Sequence, residues 1–583
     1  MELESPLKVR KEFGKTGDRI FYSFGPFEVD VRERVLNRKG KSVAVTPKVF
    51  DILLVLIRNA GRILSKDEMI QLVWPDTAVE ESNLSRNVST LRKALGEEPD
   101  ECRYIETIPW RGYRFVASVQ ESRERPDAID SLAVLPFASD QTASMDYLSE
   151  GLTDSLIDKL SLLPGLKVMS RNSVFRYRAG ESKTDYSDAQ RLGTELRVRA
   201  VLTGRIRQID TILLVSVELI DVADGSHLWG GQYNRQISDM VSMQEAMAHQ
   251  IADRLRLRLT SQDKQRLVRR ETEDPDAFQL YLKGRHFWNK LTPDGVAKGL
   301  EFFKQSVEKD PMYARGYAGL QKAYGYLNMP VEARKAAARA LELDPDLSEA
   351  HASLGFLKFL YDWDFRGAEE ELQRAIALNP NCAEAHHWYA ILLANLGRHS
   401  EAIVEAERAR ELDPLSLLMN QTAGNVLFLA RDYDGAIAVL QRTLELDAHF
   451  AAVHSVLGCV YVGKGLYPEA LAQFEKVRTL AGDHAAVQAS ITALIGWVNA
   501  ARGKKQQALK AIEELTHPLL ATPYSIAGIY ATLGEKDRAF EWLERACQSR
   551  SFQLVSLKVD LMFDKIRSDP RYIELQCRVG LPA

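Results

Sequence analysis

The feature that most constrains this chain is a repeat of about 34 residues in its second half. Segments EKDP, LELDP, IALNP and RELDP close on Pro311, Pro345, Pro380 and Pro414, so successive prolines lie 34, 35 and 34 residues apart. The next frame, LELDA, ends 34 residues further on at Ala448, without the proline. Small residues hold matching places inside the frames: Gly355, Ala390, Gly424 and Gly458 in the first helix, Ala402, Ala436 and Ala470 in the second. Small side chains let antiparallel helices approach closely, and proline stops the second helix before the next unit begins. A unit of this size cannot bury its apolar face alone, so neighbours must stack.

The period and pattern resemble the tetratricopeptide repeat, best in the frame AEAHHWYAILLANLGRHSEAIVEAERARELDP. Seven units run from about Ala277 to Pro518, with a looser one over Pro523–Cys547. His386 stands where the motif usually has Trp, and the 346–380 unit carries one extra residue. The resemblance implies an all-α superhelix over 275–550, closed by a capping segment at 551–583, with a groove that binds a protein or peptide.

A chain of 583 residues holds several domains. Its net charge of −4 excludes a protein that grips a polyanion along its whole length, so any nucleic-acid site is local. Five cysteines (Cys102, Cys382, Cys459, Cys547 and Cys577), none in a CxxC, suit a reducing compartment. The start lacks the apolar core of a signal peptide. The uncharged stretch His484–Ala501 is polar for a membrane span and falls in phase with the repeat. The expectation is a cytoplasmic protein with no membrane contact.

The first 118 residues have no such period. Tyr22–Val29 and Val43–Val45 read as strands around a turn at Arg38-Lys39-Gly40. Thr46-Pro47 starts one helix, and Ser65-Lys66-Asp67-Glu68, with capping-box spacing, starts another that stops at Trp74-Pro75. A third helix covers Ser82–Leu95 and ends before Gly96. At 100° per residue, Leu84, Val88, Leu91 and Leu95 form its buried stripe. Arg86, Ser89, Thr90 and Lys93 face away, with Asn87 and Arg92 on the flanks. No acidic residue interrupts Ser82–Leu95, although residues 20–118 as a whole hold 15 Lys+Arg against 14 Asp+Glu. Arginine can bond guanine bidentately, asparagine can bond adenine, and threonine offers a hydroxyl and a methyl, as major-groove reading requires.

The order VTPKVFDILLVL, GRILSKDEM, VW, LSRNVSTLRKALG and the wing I-x-T-x-x-x-x-GYRF resembles the OmpR/PhoB-type winged-helix DNA-binding domain over residues 20–118. That resemblance implies that Arg86, Asn87, Ser89, Thr90 and Arg92 face base edges or backbone, with Lys93 added from the helical wheel. It also places Arg111 at the tip of a wing that reaches toward the minor groove or phosphates. The family's usual wing, TVRGTGYRF, is here TIPWRGYRF, so the arginine has moved and Pro109 takes its place. In the family this domain either follows the receiver of a phosphorelay or opens a CadC-like one-component regulator. With only about 20 residues ahead of it, the second arrangement is expected. Residues 119–128 (VQESRERPDA) read as a linker. Residues 129–260, with SLAVLPF, LGTELRVRAVLTGRI and LIDVADGSHLWGGQYNR, resemble the TolB-like α/β domain, whose ligand those motifs leave open between sensor and structural module.

Other signals carry less. Gly14-Lys15-Thr16 lacks the glycine and the strand of a phosphate loop, and His386-His387 point to different helix faces without a ligand partner at metal spacing. The reading calls for no catalytic residue, cofactor or metal. It describes a multidomain chain: an α+β winged helix-turn-helix, a central α/β domain and an all-α repeat superhelix. The expected function is sequence-specific binding of double-stranded promoter DNA, with a homodimer on the DNA as one arrangement, under control of a partner on the repeats. The alternative is a repeat scaffold whose winged helix docks protein.

Overall fold

The computed structural model describes residues 19–31, 34–38, 41–43, 45–74, 79–97, 103–124, 129–139, 145–177, 187–255, 260, 263, 267, 271–290, 292–482, 485–516 and 522–582. Residues 14–16, Lys39, Gly40, Pro75, Cys102 and Pro518 lie outside them. The chain divides into two compact units, 1–128 and 129–583.

In the first unit, β1 (Arg19–Phe24), β2 (Phe27–Asp30), β3 (Val35–Arg38) and β4 (Lys41–Val43) form an antiparallel meander. The expected single strand over Tyr22–Val29 is broken by a tight turn in which Gly25 takes φ +51°, pairing Phe24 with Phe27. Helices α1 (Pro47–Arg58), α2 (Lys66–Val73) and α3 (Glu81–Leu95) follow, with β5 (Ile63–Leu64) between the first two. The capping box forms as the spacing demands: Glu68 N–H donates to Ser65 Oγ at 3.1 Å, and Ser65 N–H donates to Glu68 Oε2 at 2.8 Å. Gly96 ends α3 in the left-handed region. Strands β6 (Ile105–Ile108) and β7 (Gly112–Phe115) make the wing, which β5 joins as a third strand. The segment 119–128 is not simply a linker. Gln120–Glu124 form β8, antiparallel to β1 with Phe21 opposite Ser122. A ladder needs only backbone N–H and C=O, so a charged sequence can close a sheet edge.

The second unit starts with a mixed sheet. Strand β9 (Ser131–Val134) lies between β11 (Lys167–Val168) and β12 (Ala200–Ile209), both parallel to it. Strands β13 (Ile212–Asp221) and β14 (His227–Gln236) continue antiparallel, and β10 (Ala138–Ser139) pairs with β12. Helices α4 (Asp146–Ser161), α5 (Arg171–Phe175), α6 (Ser187–Leu196) and α7 (Met240–Arg254) complete this region. Then α8 (Pro275–Trp288), α9 (Pro293–Lys309) and α10 (Ala314–Tyr326) open a series of eight helix pairs ending at Gln548. The repeat glycines work as their spacing implies. A Cβ on Gly424 would meet Leu440 at 2.5 Å, and one on Gly458 would meet Phe474 at 2.3 Å.

The sheet region and the first repeats share one core. One apolar cluster joins Leu132, Leu152, Leu156 and Val201 to Leu282, Phe303 and Tyr313. A Cβ on Gly151 of α4 would come within 2.7 Å of Leu282 on α8. Beside this contact, Asp158 receives Arg285 at 2.5 Å and Arg315 at 2.8 Å, and Arg315 also meets Glu271 at 3.2 Å. Burial opposes ionisation of Asp158, but the two guanidiniums outweigh it and hold the carboxyl below its usual range. The Asn and Asp of the Leu-x-Asn/Asp-Pro signature bind the sheet region as well. Asn379 donates to Ser161 Oγ at 3.0 Å, and Asp413 accepts from Ser173 Oγ at 2.6 Å and Asn172 at 3.0 Å. Asn381 adds bonds to the Ser161 and Leu166 carbonyls at 2.9 and 2.7 Å.

Where the repeat usually carries Trp, a polar residue recurs in register: His351, His386, Asn420 and His454. Each donates to the carbonyl six residues earlier, at Pro345 (2.9 Å), Pro380 (3.1 Å), Pro414 (2.9 Å) and Ala448 (3.0 Å). The histidines also reach the paired helix, at Glu371 (2.7 Å), Glu405 (2.5 Å) and Gln473 (2.6 Å). The segment 551–583 turns back on earlier repeats. Arg431 contacts Asp564 at 3.1 Å and donates to the Val559 carbonyl at 3.1 Å. Tyr524 donates to Asp560 at 2.8 Å, and Lys565 donates to the Thr532 carbonyl at 2.6 Å.

Two predictions follow from this packing. Asp158→Ala leaves Arg285 and Arg315 without their shared carboxylate and should cost roughly 3–5 kcal/mol in denaturant unfolding of the second unit. His387 is buried with both ring nitrogens unpartnered, and burial pushes its pKa down to about 4. Its unfolded pKa is about 6.5, so its contribution is complete above that pH and is lost as pH falls from about 6.5 toward 4. The loss is on the order of 3 kcal/mol by pH 4. In His387→Leu, stability measured by denaturation from pH 7 to pH 4 should fall less steeply than in the unsubstituted protein.

Candidate nucleic-acid interface

Leu84, Val88, Leu91 and Leu95 are fully buried on α3, against α1 and the rest of the first unit's core. That burial leaves Arg86, Ser89, Thr90 and Lys93 in water and Asn87 half-buried. Glu81, the acid at the helix start, is taken up by Lys66 of α2 at 2.7 Å. Arg86, Lys93 and Arg111 have no ion pair among the described residues, so the outward face of α3 carries uncompensated positive charge.

The side chains are not equally available. Thr90 Oγ1 donates to the Arg86 carbonyl at 3.0 Å. Asn87 Nδ2 donates to the carbonyl and Oδ1 of Asn83, each at 2.9 Å, leaving its own Oδ1 as the free acceptor. Arg92, which the resemblance places toward DNA, also makes contacts within the fold. Its Nη2 donates to the Ile105 carbonyl and to Thr107 Oγ1, both at 2.8 Å, and its Nε lies 4.0 Å from Glu97. Two acceptors on the wing hold Nη2, while the buried Nε has no hydrogen-bond partner among the described residues, so Arg92 is a strut between α3 and the wing. Glu97 accepts in turn from Tyr104 N–H at 2.9 Å. Seven residues earlier on the same side of α3, Ser85 Oγ lies 3.3 Å from the Tyr113 hydroxyl. The wing is thus fastened to α3 at two levels.

Sequence reasoning missed Ser85 and Glu97, because cross-element bonds leave no local periodic trace. Gly112 shows a clearer signal. It takes φ +140°, and a Cβ there would lie 2.0 Å from the Leu64 carbonyl oxygen. Only glycine lets β5 join the wing. At the tip, Arg111 is exposed beside Trp110, which projects fully into solvent. Among the described residues, no group of three or more His, Cys, Asp or Glu is placed to hold a metal, and no helix is long and apolar enough to cross a membrane.

A two-helix motif with a basic outward face and a hairpin locked beside it defines a winged helix-turn-helix DNA-binding protein. Comparison with known families agrees. Residues 40–115 match the family described as transcriptional regulatory protein, C terminal; residues 128–254 match the second domain of HilA/YgeH-like transcriptional regulators; residues 359–416 and 427–494 match tetratricopeptide repeats. The middle region thus matches under a HilA/YgeH-like description rather than a TolB-like one. The transcriptional regulator HilA of Salmonella typhi is 27% identical over 397 residues, covering 65% of this chain and 68% of that protein. A putative adenylate cyclase 3 of Rhizobium meliloti is 29% identical over 284 residues, 47% of this chain and 41% of that one. The solved DNA-binding domain of Escherichia coli CadC is 29% identical over 97% of its length and 18% of this chain, with a TM-score of 0.17. The chain is a DNA-binding transcriptional regulator with an OmpR/PhoB-type domain, a HilA-like second domain and tetratricopeptide repeats.

Arg92→Ala removes two charge-assisted hydrogen bonds and should lower stability of the first unit by about 1–3 kcal/mol in thermal or denaturant unfolding. Arg92→Lys should not restore it, because one ammonium cannot reproduce the guanidinium fork.

Proposed function

We propose that α3 lies in the major groove of an operator and reads it through Arg86, Ser89, Thr90 and Lys93, with Asn87 at the edge of the contact and Arg111 on the wing near the backbone. The supporting observation is the outward face of α3, where Arg86 and Lys93 have no acidic partner among the described residues while the aliphatic stripe is locked in the core. The protein works in the cytoplasm, as a dimer on paired half-sites, and a protein or peptide bound to the repeats changes its activity. Such a partner has two routes: it alters dimerisation or it frees the basic helix. The sheet region moves with the repeats in either route, because the two share a core and the Asp158, Asn379 and Asp413 contacts.

Gel-shift titrations of the full chain and of residues 1–128 test the coupling. Different affinity or oligomeric state is expected; identical behaviour in both would remove the proposed control. Affinity should fall steeply with salt, as for any protein that neutralises several phosphates. Arg86→Ala should cost about 1–3 kcal/mol and relax selectivity at one base position. A loss uniform over all sequences would assign Arg86 to phosphate alone.

A further inference from the structure

The wing tip is built at a conformational disadvantage. Arg111 N–H donates to the Ile108 carbonyl at 3.0 Å, closing a four-residue turn with Pro109 second and Trp110 third. Trp110 sits there at φ +63°, in the left-handed region that the third place of such a turn ordinarily fills with glycine or asparagine. No packing compensates within the described residues. The side chain is 103% exposed, against 67% for the next most exposed large hydrophobic, Met312. Strain held at an exposed aromatic is a mark of function outside the fold.

The location narrows that function. The hairpin is anchored to α3 where Thr107 meets Arg92 and Tyr113 meets Ser85. Three residues of strand and turn beyond Thr107 carry the indole roughly 10 Å past that anchor. Arg114, further down the same strand, is neutralised by Glu106 at 2.5 Å, whereas Arg111 beside the indole has no ion pair among the described residues. An isolated indole of about 150–250 Å² is too small for a surface between protein copies, which needs several hundred square ångströms of contiguous patch. A lone apolar blade next to a free cation instead suits a groove walled by phosphates, where apolar side chains enter between base steps from the minor-groove side.

We propose that Trp110 is a minor-groove wedge. The indole enters the minor groove beside the α3 contact, partly unstacks one base step and bends the duplex, while Arg111 holds a flanking phosphate. The proposal rests on the reading of α3 as a DNA-reading helix. It adds a source of specificity that needs no hydrogen bond to a base: flexible TA or CA/TG steps yield to a wedge more readily than stiff ones.

The test uses the full chain. Duplexes are selected from a random pool with the unsubstituted protein, then affinity is measured by fluorescence anisotropy and bending by energy transfer between labelled ends. Trp110→Ala and Trp110→Gly should each bind about tenfold more weakly. Both should bend the duplex less, lose the preference for a flexible step and keep the salt dependence unchanged. Arg111→Ala should instead lower the salt slope by about one. Trp110→Gly should raise the melting temperature of the first unit, since glycine accepts the positive φ; weaker binding by a more stable protein separates this loss from misfolding. If both Trp110 variants bind and bend as before while Arg86→Ala still binds weakly, the wedge is overturned and the α3 reading stands. If the unsubstituted protein selects no sequence, both readings fall. If the variants change the sedimentation of the free protein and leave bending intact, Trp110 is a contact between copies and the wedge is again overturned.

Discussion

Four aliphatic side chains decide what the basic helix can touch. Leu84, Val88, Leu91 and Leu95 occupy one side of α3 and are withdrawn from water by α1, α2 and the rest of the core. Each buried aliphatic side chain contributes about 1.5–3 kcal/mol relative to exposure. Rotating the helix to bury Arg86 or Lys93 would forfeit that gain and add the cost of an unpaired buried charge. The polar face is therefore held outward by the core beneath it, and the Arg92 and Ser85 bonds fix the wing at a set offset beside it. Recognition and folding use opposite sides of one helix.

The second unit rests on a different constraint, the close approach of small residues. Gly355, Gly424 and Gly458 each sit where a Cβ would collide with the partner helix of the repeat. Gly151 does the same between the sheet region and α8. This continuity makes the sheet region part of the repeat stack. The signature residues Asn379 and Asp413 contribute through side chains that leave the repeats for Ser161, Asn172 and Ser173. Burial pushes the Asp413 carboxyl up, against the hydrogen bonds from Ser173 and Asn172 that favour its ionised form.

Much of this was legible in local pattern. The 34-residue period gives the helix pairs, Ser65-x-x-Glu68 gives the capping box, and the Leu84-Val88-Leu91-Leu95 spacing gives the buried side of α3. Each depends on residues close in sequence, where periodicity and backbone preference act. The features that local pattern did not show depend on partners far along the chain. The helical wheel puts Arg92 on the flank of α3 but does not show its bonds to Ile105 and Thr107, which reach it only after the wing folds back. Gln120–Glu124 looked like a linker because its charged residues hide a backbone ladder to β1. The histidines at the usual Trp place gave no sign of their second bond, since Glu371, Glu405 and Gln473 are 19 or 20 residues away on the next helix.

The sequence by itself determined the kind of protein: a winged helix with a basic outward face, an α/β region and stacked helix pairs, because hydrophobic period, caps and breakers are properties of adjacent residues. Only the tertiary structure decided which of the cations are bonded inside the fold and which stay in water, that the middle region and the first repeats share one core, and that the Trp110 side chain projects into solvent at the wing tip. Those outcomes are set by which distant groups arrive within bonding or packing distance, and no local pattern encodes that arrival.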